Sequence, residues 1–201
     1  MLIIVEAERE CKSMYERLSR HLAQWCQNRC QVNEEEREAV EYGIRIVILT
    51  FCKFWLFVFL GGILGYGKEV VVALIVFGSI RRFAGGIHMS SSFKCTLAMG
   101  CMLSVCIWMS NYPKADEKVL FFFWITTLAL AAYFAPADFT ENKGGMVRWK
   151  QKVKAICIIN MWYIAALMIC KTAMRNVIIA AAVIEAISLI PYEGKNEGER
   201  A

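Results

Sequence analysis

The sequence predicts an all-α protein, a polytopic helix bundle built into a membrane, and three observations carry that expectation. Of its 201 residues, 58% are hydrophobic, above the roughly 45–50% of ordinary globular domains, and the mean hydropathy is +0.43. The apolar residues collect in six segments, 44–66, 70–80, 96–112, 119–137, 153–170 and 177–190. Charge is spread unevenly: acids crowd residues 6–41 and the C-terminus, and basic clusters interrupt the apolar segments. Distributed in this way, the net charge of +5 reads as membrane topology and contact with anionic headgroups, not as nucleic-acid binding.

Residues 1–42 form a polar preface, expected on the cytoplasmic side. Met14, Leu18, Leu22 and Trp25 recur at helical spacing among Arg17, Arg20 and Gln24, the stripe of an amphipathic helix that lies on a membrane surface or packs on the rest of the protein. Asn33 with Glu36 three residues on resembles a capping box and opens a second helix towards the membrane. The opening Met1-Leu2-Ile3-Ile4-Val5 has no preceding positive region and is too short for a signal peptide. Insertion is therefore expected from the first long apolar segment.

A membrane crossing needs about 20 apolar residues. The first segment is ample, the third to fifth are adequate or slightly short, and the second and sixth are marginal. Six crossings are expected, with four crossings and two re-entrant or half-buried segments as the alternative. Residues 43–192 form the membrane domain, and the tail from 193 to 201 has the composition of a disordered segment. With both termini inside, the inner side carries seventeen Lys and Arg against five outside, and the positive-inside rule then places residues 81–95 at the cytoplasmic face.

Nine cysteines do not make a disulfide framework, because Cys52, Cys101, Cys106, Cys157 and Cys170 lie within apolar segments and act there as small hydrophobes. A reduced, cytosol-facing protein is expected. There is no C-x-x-C, and His21 with Cys26 and Cys30 matches no standard zinc spacing; neither a metal nor another cofactor is expected.

The polar chemistry concentrates in RRFAGGIHMSSSFKC, Arg81 to Cys95. On one straight helix His88 and Cys95 would share a face but stand about 10.5 Å apart, too far for direct proton transfer. Gly85-Gly86 can break the backbone, and Ser90, Ser91 and Ser92 are good N-cap residues for a helix beginning near Phe93. Cys95 then falls in the first turn, where unpaired N–H groups and the helix dipole favour a thiolate, and His88 is free to fold back as its base. Arg81 and Arg82 can lower the thiol pKa, bind a substrate carboxylate or hold lipid phosphates. A solvated loop with an incidental His and Cys satisfies the same composition.

The run Arg81-x-x-x-Gly85-Gly86-x-His88, with Cys95 seven residues on, resembles the signature of AgrB, the accessory gene regulator B peptidases of Gram-positive bacteria. The length, the amphipathic N-terminal region, and Tyr133-Phe134-Ala135-Pro136-Ala137-Asp138 followed by Thr140-Glu141-Asn142-Lys143 extend the resemblance. It implies an integral cysteine endopeptidase of the cell membrane, a homodimer, that removes the C-terminal tail of an AgrD-like quorum-sensing precursor. The remainder is held as a thioester on the enzyme and cyclised to a thiolactone. Cys95 would be the nucleophile and His88 its base, with Arg81, Gly85, Gly86 and Ser92 supporting the site and Asp138 a candidate to orient His88. Where the family pattern has a proline after Asn142-Lys143, this chain has Gly144-Gly145.

Two other classes remain open to the sequence: a small transport or export bundle with residues 81–95 as a gating loop, and a non-catalytic scaffold. Glu185 is the one acid at mid-span and Lys53 the one base deep in a span, fewer intramembrane charges than ion transport usually requires.

Overall fold

The computed structural model describes residues 17–25, 34–85, 92–113, 116–135, 145–168 and 172–190, and among them every regular element is a helix. A short helix, α1 (residues 17–25), precedes six longer ones: α2 (Glu34–Ile63), α3 (Gly67–Ala84), α4 (Ser92–Ser110), α5 (Glu117–Phe134), α6 (Gly145–Met168) and α7 (Thr172–Ile187). Each apolar segment of the sequence falls on one of α2 to α7. Parts of α2 (37–63), α4 (93–110) and α5 (117–134) are long and apolar enough to cross a membrane. The chain divides into two compact units, residues 1–59 and 60–201.

In the first unit, α1 turns Leu18, Leu22 and Trp25 outward while Ser19 and Ala23 are buried, so the apolar stripe is the exposed face. Arg20 Nε stands 3.9 Å from Glu41 Oε1, an exposed pair of small energetic weight. Met14 and Asn33 lie outside the described residues. The first unit's part of α2 exposes Val47, Phe51, Trp55 and Phe59, as an apolar helix facing lipid would.

In the second unit, α2 ends in a Schellman turn. Gly65 adopts φ 81°, its N–H donates to Gly62 O (3.2 Å) and the Tyr66 N–H donates to Gly61 O (2.8 Å), which satisfies carbonyls the helix end would otherwise leave open. The chain doubles back at once into α3. A side chain at Gly61 would meet Val70 Cγ2 at 2.7 Å, and one at Gly67 would meet Gly62 Cα at 3.4 Å.

The core of this unit is α7, which packs on α3, α4, α5 and α6. Its buried residues include Val177, Ile178, Ala181, Ala182 and Ala186, small enough to let neighbouring backbones approach. α3, which packs on α7, α6 and α4, buries a stripe at helical spacing, among them Val70, Ala73, Phe77, Ile80 and Ala84. The two segments marginal in length are therefore those at the centre of the packing.

Polar and ring contacts join the helices at several points among the described residues. Trp162 Nε1 donates to Ser79 Oγ at 2.7 Å, linking α6 to α3, and Trp124 of α5 stacks on Tyr163 of α6 with ring centroids 4.8 Å apart. Asn176 Nδ2 donates to Met109 O and Tyr112 O, each at 3.2 Å, and Asn111 Nδ2 donates to Tyr66 Oη at 3.3 Å. These last three bonds gather the end of α4, the start of α3 and the start of α7 at one end of the bundle. The end of α3, the start of α4 and the end of α7 consequently lie at the other.

Candidate active site

That other end holds the motif residues. Ile80 and Ala84 are buried and fix the last turn of α3, and Gly85, with φ 79°, closes it by donating its N–H to Arg81 O at 3.0 Å. Positive φ suits glycine and strains other residues, so the helix stops here and the chain changes direction. The next described residue is Ser92, the first residue of α4. Cys95 is the fourth residue of α4, within the turn whose N–H groups lack intrahelical acceptors and whose dipole favours negative charge.

Cys95 is half-buried and outside any disulfide. Cys106 on the same helix is fully buried, and Cys52, Cys101 and Cys157 are exposed. His88, Gly86 and Asp138 lie outside the described residues. Arg81 and Gly85 at the end of α3, and Ser92 and Cys95 at the start of α4, come to the same end of the bundle because α3 and α4 pack together.

Positive charge collects here. Lys154 Nζ of α6 stands 5.8 Å from the centroid of the Phe83 ring, and Arg82 Cζ lies 5.9 Å from the same ring, both within cation–π range. Arg148, Lys150 and Lys154 on the first turns of α6 are exposed. Such a surface attracts acidic peptides and anionic headgroups alike. Among the described residues no group of three or more His, Cys, Asp or Glu is placed to hold a metal ion.

One group near this end was visible in the sequence only as a mid-span acid. Glu185 of α7 is 1% exposed. Ser188 Oγ donates to the Glu185 backbone oxygen at 2.7 Å, while Glu185 Oε1 has no hydrogen-bond partner among the described residues. The signal was the cost of a charge within an apolar segment; what it lacked was how deeply the packing of α7 buries the carboxylate.

The chain that makes this end matches a known family along most of its length. Accessory gene regulator B matches residues 19–189, nearly the whole described chain. The chain belongs to the AgrB family. Curated AgrB-like relatives agree over most of their lengths. AgrB-like protein 2 of Clostridium perfringens (strain 13 / Type A) is 27% identical over 147 residues, 69% of this chain and 68% of that one. An AgrB-like protein of Clostridium acetobutylicum is 26% identical over 163 residues, 80% and 78% of the two chains. One from Listeria innocua is 27% identical over 172 residues, 84% and 83%. No solved structure matches. Membership in the AgrB family, together with three helices long and apolar enough to cross a bilayer, makes this a membrane protein.

Proposed function

We propose that this AgrB-family protein is a membrane cysteine endopeptidase that shortens and cyclises an AgrD-like quorum-sensing precursor, with Cys95 as nucleophile and His88 as general base and acid. The observation that carries the reading is the run from Arg81 to Cys95, in a family member whose Cys95 sits in the first turn of α4. His88 takes the Cys95 Sγ proton as sulfur attacks the scissile carbonyl carbon, and the N-terminal N–H groups of α4 face the developing oxyanion. His88 then returns the proton to the departing amine, the C–N bond breaks, and the tail leaves as a free peptide. The remainder stays on Sγ as a thioester.

A cysteine thiolate within the bound peptide attacks that thioester carbonyl, and the Cys95 thiolate departs. One thioester replaces another, so the acyl group stays activated and no water is consumed, provided the site excludes it. Gly85, Gly86 and Ser92 shape the turn and the helix start, and Asp138 orients His88. The basic end formed by Arg82, Lys154 and the start of α6 receives the acidic tail and anionic lipid.

The accompanying topology has six crossings, both termini and the site at the cytoplasmic face, residues 1–42 as amphipathic helices on that face, and a membrane domain from 43 to 192 that assembles as a homodimer. Seventeen inner basic residues against five outer ones support this orientation. Co-expression with the precursor tests the activity: Cys95→Ser and His88→Ala are each expected to abolish release of the tail, read by mass spectrometry. Shortening that persists in both variants overturns the reading.

A further inference from the structure

α4 and α5 each pack on α7, but among the described residues they do not pack extensively on each other, and a crevice opens between them. Its floor is a stripe of α7 at helical spacing that runs from Asn176 through Ala180 to Ile184, and its walls include Met109 of α4 and Phe123 of α5. The floor extends about 12 Å at 1.5 Å per residue. The space measures about 190 Å³, and apart from Asn176 every residue that lines it is apolar. One buried water needs about 10–15 Å³ and two or more polar partners, so this space has the room for water without the partners. Its level in the bilayer follows from α4. The apolar span of that helix ends at Ser110, and the exposed Trp108 and Tyr112, with ring centroids 5.2 Å apart, mark the interface that such aromatic residues favour. Asn176 donates to Met109 O and Tyr112 O and therefore stands at that level, while Ala180 and Ile184 lie progressively deeper.

One acceptor at the interface end is left over. Asn176 is only 4% exposed. Its Nδ2 serves the Met109 and Tyr112 carbonyls, which turns the other end of the amide away from them, and Oδ1 has no hydrogen-bond partner among the described residues. A buried acceptor without a donor is costly, the more so beside hydrocarbon. We propose that the crevice seats one acyl chain of a membrane lipid whose glycerol-level hydroxyl donates to Asn176 Oδ1. The order of polarity is that of the bilayer itself: an acceptor at the interface, then an apolar slot running inwards. The slot is also too slim for a helix of about 10 Å diameter, whereas an extended acyl chain enters it. A chain held there fills the gap between α4 and α5. This site lies at the end of the bundle away from Cys95 and is independent of the peptidase reading.

The test is photolabelling of the full-length chain in phosphatidylcholine vesicles, with labelled residues located by mass spectrometry. Two probes are compared: a diacylglycerol with a diazirine in one acyl chain, and its methyl ether, which lacks only the hydroxyl donor. The diacylglycerol is expected to label the crevice residues of α4, α5 and α7 about fivefold more than the ether, a factor of the size one hydrogen bond commonly contributes. Both probes should label the exposed face of α2 around Phe51 equally. Ala180→Phe, which fills the slot, should remove the crevice label and leave that of α2 unchanged. Asn176→Leu should erase the preference between the probes. Equal labelling of the crevice by both probes in the parent chain, crevice labelling undiminished in Ala180→Phe, or no labelling of the crevice by either probe overturns the proposal, the last being the result if a second copy of the chain covers it. Should either variant not fold, the comparison of the two probes on the parent chain still decides.

Discussion

Two helices of this protein, α2 and α7, solve opposite problems. α2 has 30 residues, and of its apolar window only 6% is buried within the protein; Phe51, Trp55 and Phe59 point outward. α7 has 16 residues, is surrounded by four other helices, and buries Arg175, Asn176 and Glu185. A helix that meets lipid along its length must be long and uniformly apolar, because nothing in the hydrocarbon can satisfy a polar group. A helix enclosed by others can be short and can carry charge, because its neighbours supply the partners.

That contrast can be broken, or sharpened, by substitutions at matched positions. The largest effect is expected from Ala181→Phe, at a site with no exposure on α7, where a ring must displace its neighbours. It should cost about 3 kcal/mol or more, seen as a lower unfolding temperature in detergent or loss of folded chain. Tolerance of phenylalanine there would mean that α7 is not the packing centre. Next, Phe51→Arg on the outward face of α2 should leave internal packing alone but raise the cost of insertion by about 3 kcal/mol, read as reduced membrane integration. Normal integration would show that this face does not meet lipid. The smallest effect belongs to the turn between α2 and α3: Gly65→Ala, at φ 81°, should destabilise by about 1 kcal/mol without altering integration.

Part of the end of the bundle that carries the candidate site was legible. Three serines before an apolar run pointed to a helix start near Phe93, and α4 begins at Ser92; Gly85-Gly86 pointed to a break in the backbone, and α3 ends at Ala84 with Gly85 as its cap. The expected break between His88 and Cys95 lies outside the described residues. The surroundings of Glu185 were not legible. It stood out as an acid among apolar residues, yet its almost complete burial depends on which helices pack around α7, and no local pattern tells that.

The sequence by itself determined the helical class, the six apolar segments on which α2 to α7 fall, the charge asymmetry and the family resemblance, since periodicity and charge are properties of short stretches. Tertiary structure alone decided that the two segments of marginal length, α3 and α7, form the centre of the bundle, and that Glu185 is almost wholly buried there. Burial depends on which faces of distant helices meet. That choice is made by packing small residues such as Ala73, Ala181 and Ala186 against their neighbours, not by the run of residues around any one of them.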